Sequence, residues 1–191
     1  MKEVLAGIAV FFLDFIETIV IALAIFVVIY LFLFQPHQVK GSSMFPNFSD
    51  GEYILTDKIS YRFSKPNRGD VVVFKSPQNR EIDFIKRIIG LPNDSVMVNG
   101  GFVFVNGKKL DESFYLPTDY ITNPGSFLRD EKTVVVPEEN YFVFGDNRNH
   151  SSDGREWGFV PKSDIIGKAW LRYWPIKNFG LVPHASYKIS K

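Results

Sequence analysis

The sequence predicts an all-β domain of antiparallel sheets, with a ribbon-rich insertion, mounted on a single N-terminal transmembrane helix. Three observations lead there. An uncharged apolar run of helical length lies near the N-terminus. From about Val39 onward, short apolar or alternating segments are punctuated by Gly, Pro, Asn and Asp. Helical periodicity is scarce in that later part. With 191 residues and 46% apolar content, the chain suits one domain of ordinary size, or a small domain plus an anchor.

The apolar run is "TIVIALAIFVVIYLFLF", Thr18 to Phe34, and contains no charge. At about 1.5 Å per residue it is near the lower limit for crossing a hydrocarbon core of roughly 30 Å. Few soluble helices are apolar on every side, so an anchor is preferred to a buried core helix. It is too long for the apolar part of a cleaved leader, and no small-x-small site follows before the domain begins. Upstream, "VLAGIAVFFL" is also apolar, but Asp14 and Glu17 separate it from the main run. The expected division is therefore a juxtamembrane segment over 1–17, an anchor over 18–35 and a β domain over 36–191. Lys2, Glu3 and Lys40 give almost no charge bias, so orientation does not follow from charge counting.

Strands are expected over Asp70 to Lys75 in "RGDVVVFKSP" and over Ile82 to Ile89 in "IDFIKRIIG". "DSVMVNGGFVFVNGKKL" reads as two strands joined around Asn99-Gly100-Gly101, followed by a turn at Asn106-Gly107. Further strands are expected at Thr133 to Val136, Tyr141 to Phe144 and Lys168 to Trp174. The stretch from about 94 to 137 is assigned to the ribbon insertion, with "LPTDYITNPGSFLRDEK" as its irregular part.

Composition narrows the chemistry. A net charge of +1 offers no wide basic face, so nucleic acid is not an expected partner. The chain has no cysteine, which removes thiol nucleophiles, Cys-ligated zinc and disulfides together. A catalytic site must use oxygen and nitrogen groups.

Three stretches carry such groups. In "VKGSSMFPNF", Gly41 and the serines have little bulk and Pro46 biases Phe45 toward extended backbone. A serine at this bend, Ser42 or Ser43, is a candidate nucleophile with main-chain N–H groups at hand for an oxyanion. In "DFIKRII", strand alternation puts Phe84, Lys86 and Ile88 on one face and Ile85, Arg87 and Ile89 on the other. Apolar neighbours disfavour the ammonium form of Lys86 and favour a neutral amine able to take a serine proton. The competing reading is a lysine that reaches water at the strand edge. In "GDNRNHSSDGREWGFVP", Asp146 and Asn147 suit backbone capping, Asp153 and Arg155 a bracing ion pair, and Ser151 or Ser152 a contact to an amine.

Taken in order behind an N-terminal span, "GSSMFP", "RGDVVVF", "FIKRIIGLP" and "GDNRNHSSDGREWGFVP" resemble the bacterial type I signal peptidase (leader peptidase) family. The resemblance implies the signal-peptidase type of β fold and a serine endopeptidase with a serine–lysine dyad. Such an enzyme removes signal peptides from secreted preproteins after small-x-small (Ala-x-Ala) sites. By motif it makes Ser43, before Met44, the nucleophile in preference to Ser42, and Lys86 the general base. It assigns Ser151 to positioning the lysine amine, Asp153 and Arg155 to support, and Val39, Met44, Phe84 and Ile85 to substrate binding.

The resemblance also implies no cofactor and no metal, signal peptides and membrane lipid as partners, and function as a monomer. It places the protein in the cytoplasmic membrane as a single-pass protein, with the N-terminus cytoplasmic and the catalytic domain extracytoplasmic. Where some members place a serine as oxyanion donor this chain has Gly41, so the Ser43 N–H is expected to serve. The usual threonine after the proline is Asn47, and the usual glycine of a "GLPGD" pattern is Asn93. The alternative function is an inactive, membrane-tethered β domain that binds partners. A serine–histidine variant of the site finds no histidine at position 86, which leaves His150, beside Ser151, as the one histidine within the motifs.

Overall fold

The structure, a computed structural model, describes residues 2–185 and 187. Helix α1 runs unbroken over Lys2–Val28 and continues into a five-residue π-helical turn, Ile29–Leu33. The upstream apolar segment and the main run are thus one helix. Asp14 and Glu17 do not interrupt it, because charged side chains sustain a helix that only Gly or Pro would weaken strongly. The stretch apolar enough to span a membrane is Val10–Val28, with no part of it buried against the domain. Phe34 and Gln35, expected at the end of the anchor, instead open strand β1, Phe34–Gln38. Pro36 disfavours helical backbone at Gln35, and pairing with the next strand supplies partners for the extended chain.

Beyond α1 the regular structure is mainly antiparallel sheet, joined by turns and long loops. In chain order the strands are β1, β2 (Tyr53–Asp57), β3 (Val71–Lys75), β4 (Asp83–Gly90), β5 (Ser95–Asn99), β6 (Phe102–Val105), β7 (Lys108–Lys109), β8 (Val134–Val135), β9 (Asn140–Phe144), β10 (Val160–Pro161), β11 (Ile165–Trp174) and β12 (Gly180–Leu181). The larger sheet has the order β1-β2-β11-β3-β4-β9-β10, with β12 also paired to β11. The smaller has the order β7-β6-β5-β8. Its turns fall at Gly100-Gly101 and Asn106-Gly107, as the sequence predicts. The other described helices, α2 (Ser60–Phe63) and α3 (Gly154–Trp157), are single turns.

Three apolar clusters hold the sheets together. Val39, Met44, Phe48, Ile54, Val71 and Val73 form one beneath the β1 end. Val72, Phe74, Ile88, Tyr141 and Val143 form a second on the opposite face of β3 and β4. The third joins the two sheets, bringing Ile89, Phe142 and Phe144 against Val96, Val98, Val103 and Leu128. Each buried side chain of this size contributes about 1.5–3 kcal/mol.

The pairing leaves one feature that matters for function. β4 pairs with β3 along Asp83–Arg87, but its other edge meets β9 only from Arg87 onward. Residues 83–86 of β4 and the outer edge of β1 are therefore open to an extended partner.

Candidate active site

Ser43 sits in the bend after β1. The bend is closed by Val39 N–H to Glu52 O (2.7 Å), Gly51 N–H to Val39 O (2.9 Å) and Phe45 N–H to Ser42 O (3.0 Å). Gly41 has φ +82°, a left-handed conformation that glycine adopts without strain, and its N–H reaches Asp50 Oδ1 at 2.6 Å. The carbonyls on either side of the Ser43 amide group are both held from across the site. Asn147 donates its main-chain N–H to Ser43 O (3.0 Å) and its side-chain amide to Ser42 O (3.0 Å). Among the described residues the Ser43 N–H has no internal hydrogen-bond partner, which leaves it available to a ligand oxygen.

Lys86 lies opposite Val72 of β3 and is only 4% exposed. Its Nζ donates to Ser43 Oγ at 2.8 Å and to Ile85 O at 3.0 Å, and lies 5.2 Å from the centroid of the Phe84 ring. Burial lowers this amine from 10.5 to about 8, against the opposing pull of Asp153 and Asp146. The lysine therefore does not reach bulk water. It is a desolvated amine bonded to the serine hydroxyl, the arrangement needed to deprotonate that hydroxyl near neutral pH.

A cleft of about 610 Å³ opens at this pair. Val39, Ile54, Val73, Phe84 and Ile85 line it, so three of the four expected substrate-binding residues face it. Met44 does not: it is fully buried in the core beside Val39 and Ile54. The tight turn directs the Ser43 hydroxyl to the cleft and leaves the adjacent side chain pointing into the protein. Phe48 is likewise core, whereas Phe45 is 55% exposed. The far end of the cleft is polar. There His37 contacts Thr56 Oγ1 at 2.9 Å and Asp83 Oδ2 at 3.3 Å, and burial lowers its pKa against the attraction of Asp83.

The loop after β9 braces the pair. Asp153 caps α3 and receives two bonds from Arg155, Nε at 2.8 Å and Nη2 at 2.9 Å, with both side chains buried. Asp153 also accepts the Gly145 N–H at 2.9 Å. Ser151 is close to Gly145, but its buried Oγ has no hydrogen-bond partner, so the expected bond to the Lys86 amine is not made. Ser152 lines the cleft, and His150 is exposed.

Two groups read from sequence only as turn formers or strand residues are central here. Asp146 receives Arg87 Nε at 2.8 Å and Nη2 at 2.7 Å in a fully buried pair. Asn47, one of the departures from the family pattern, ties this pair to the bend by donating to Asp146 Oδ2 and to Tyr115 O, each at 2.9 Å. The other departure, Asn93, has φ +70°, a conformation that asparagine tolerates better than other non-glycine residues.

Comparison with known proteins identifies the family. Residues 12–174 match the family described as signal peptidase, peptidase S26. A probable signal peptidase I-2 from Synechocystis is 40% identical over 87% of this chain and 75% of the relative. Signal peptidase I from Leptolyngbya laminosa is 39% identical, covering 90% and 85%. Signal peptidase IB from Staphylococcus aureus is 36% identical, covering 87% and 92%. A crystal structure of a signal peptidase I from Enterococcus faecalis aligns with 55% of this chain and 97% of that one, at 31% identity and a TM-score of 0.46. On the family match and these relatives, the chain belongs to the signal peptidase family, peptidase S26, and within it to the bacterial type I signal peptidases.

Proposed function

We propose that this protein is a membrane-anchored serine endopeptidase that removes N-terminal signal peptides from secreted preproteins, cutting after small-x-small sites. The observation that carries the reading is the 2.8 Å contact between a buried, pKa-lowered Lys86 amine and Ser43 Oγ at the mouth of the cleft. The substrate runs as an extended strand along the open edge of β4, placing its scissile carbonyl at Ser43. Neutral Lys86 takes the Ser43 proton as Oγ attacks. The developing oxyanion is met by the Ser43 N–H. Lys86 then returns the proton to the leaving amine, and a water activated by the same lysine releases the acyl group. Val39, Phe84 and Ile85 restrict the side chains accepted beside the cut. Ser151 orients the amine once substrate closes the cleft, and Asp153 with Arg155 fixes the loop that carries it.

The domain from about residue 36 onward faces the extracytoplasmic side, with α1 as its anchor and the N-terminus cytoplasmic. The anchor holds enzyme and signal peptide in one membrane and so raises their effective concentration.

The test is cleavage of a preprotein bearing an Ala-x-Ala site by the detergent-solubilised protein. Product ending after the second alanine is expected from the wild type and from Ser42→Ala, and none above background from Ser43→Ala or Lys86→Ala. Cleavage retained by Ser43→Ala would overturn the assignment. A folded wild type that cuts nothing would favour the inactive, partner-binding alternative.

A further inference from the structure

The structure also carries a basic pocket beside the membrane helix that takes no part in the proposed chemistry. Its position follows from strand pairing. Phe34, the first residue of β1 after the helix, is opposite Asp57, the last residue of β2, and α2 follows three residues later. The turn from Lys58 to Phe63 is thereby held at the exit of the helix. Lys58 N–H bonds Leu33 O at 2.9 Å, and Arg62 Cζ is 5.9 Å from the centroid of the Phe32 ring.

The apolar helix continues past Val10–Val28 through Ile29–Leu33 before the chain turns into β1. Phe32 lies in that last turn, so Arg62, against its ring, is held where the helix gives way to the domain, the level at which a membrane helix meets the headgroup layer. Phe34 stacks on Trp170 at 5.1 Å at the same end of the sheet, as aromatic residues do at membrane interfaces.

The chemistry of the pocket matches that level. Between Asp57 and Asp70 the chain has Lys58, Arg62, Lys65 and Arg68 and no acidic residue. A cavity of about 230 Å³ is lined by Lys58, Arg62 and Lys162, with Tyr61, Ile165 and Ile166 among its walls. Arg62 has no carboxylate partner among the described residues, while Lys58 bonds Gln35 Oε1 at 3.4 Å and is not without partners. Among the described residues Lys162 pairs with the solvent-exposed Glu139, at 3.3 Å. Beside Arg62, Phe63 is 86% exposed, an apolar side chain left uncovered by the domain.

We propose that Lys58, Arg62 and Lys162 form a docking site for the phosphate of an anionic phospholipid in the leaflet next to the domain, with Phe63 inserted beside it. Each cation near a charged lipid surface contributes roughly 1 kcal/mol, about fivefold in association. The site fixes the tilt of the domain on the membrane through a second contact besides α1. It rests on the membrane anchoring proposed above, not on the identity of the catalytic pair.

The full-length protein is reconstituted in phosphatidylcholine vesicles holding a trace of spin-labelled phosphatidylglycerol or spin-labelled phosphatidylcholine. Electron paramagnetic resonance then gives the fraction of each label immobilised by the protein. The wild type is expected to prefer phosphatidylglycerol severalfold. Lys58→Gln/Arg62→Gln/Lys162→Gln is expected to bring the ratio of association constants near one, while its cleavage of a preprotein in detergent persists as evidence of folding. Lys109→Gln/Arg129→Gln/Lys132→Gln, which removes equal charge from the insertion, is expected to keep the preference. An unchanged preference in the first variant, or equal loss in both, overturns the site. Immobilisation of neither label overturns the membrane anchor, and the site with it, irrespective of whether Ser43 and Lys86 cut peptides.

Discussion

Replacing Lys86 with methionine separates the energetic cost of the buried amine from its chemical use. Burial lowers the Lys86 amine from 10.5 to about 8, and at about 1.4 kcal/mol per pH unit this is on the order of 3 kcal/mol. The sign follows from proton counting. Below pH 8 both folded and unfolded chains hold the proton, and the folded state bears the whole penalty. Between about 8 and 10.5 the unfolded chain binds more protons, so wild-type stability rises with pH and the penalty disappears.

Lys86→Met removes the penalty but also loses the bonds to Ser43 Oγ and Ile85 O, each worth about 1 kcal/mol. The variant is therefore expected to be about 1 kcal/mol more stable than wild type near pH 7 and about 2 kcal/mol less stable above pH 10.5. Other lysines titrate alike in both proteins and cancel. The assay is the thermal unfolding midpoint of both full-length proteins in one detergent across this pH range. The difference should swing by about 6–12 °C, taking about 2–4 °C per kcal/mol for a chain of this size. Wild-type kcat/KM should rise tenfold per pH unit below about pH 8 and level off above it, as the neutral fraction of Lys86 grows. A difference in midpoint that is flat with pH, together with no kinetic limb near 8, would refute the shifted lysine.

Asp146→Asn leaves Arg87 buried without its counter-charge, and a loss of about 3–5 kcal/mol is expected from calorimetry or denaturant unfolding. Gly145→Ala should abolish cleavage, since a Cβ there would lie 2.1 Å from Ser151 Oγ and 2.5 Å from Ser43 O; wild-type kinetics with an unchanged midpoint would contradict the packing. Ser151→Ala removes a buried hydroxyl with no partner, so stability should hold or rise by about 1–3 kcal/mol. The same variant should lose kcat/KM tenfold or more if the serine orients Lys86 in the substrate complex, read by comparing midpoint and kinetics on one preparation. Val39→Ala enlarges the cleft beside Ser43, and competition between preproteins with alanine or valine at the cut site should show valine gaining at least severalfold.

The extent to which this molecule was legible differs from residue to residue. Strands β3, β4, β5, β6, β8, β9 and β11 are legible because β-branched and aromatic runs bounded by turn residues state their own local preference. β2 is not among the expected strands: "YILTD" is short and mixed in polarity, and its alternation of buried and half-buried positions emerges only once it pairs on both edges. β1, interrupted by Pro36 and directly following an apolar helix, carries little local signal and exists because β2 pairs with it.

Ser43 and Lys86 follow from the motif, and the alternation of "DFIKRII" puts Lys86 on the face of Phe84 and Ile88; its cross-strand partner, Val72, comes from the sheet register. Met44, next to Ser43 in sequence, is fully buried and packs behind the cleft-lining Val39, Ile54 and Val73, a placement that its motif position alone does not state.

What the sequence by itself determined is the local: an apolar helix, the strand-forming runs, the tight turns, the absence of thiol chemistry and the order of the four motifs. Only tertiary structure decided which groups meet. The separations of 43 positions from Ser43 to Lys86 and 59 from Arg87 to Asp146 are closed by sheet pairing, and Asn147 comes from more than a hundred residues away to hold the bend at Ser42 and Ser43. The lysine's pKa belongs to that level as well. Lys86 carries the same side chain in the unfolded chain, and its amine is lowered only when Phe84, Val72 and the loop from β9 remove the water around it.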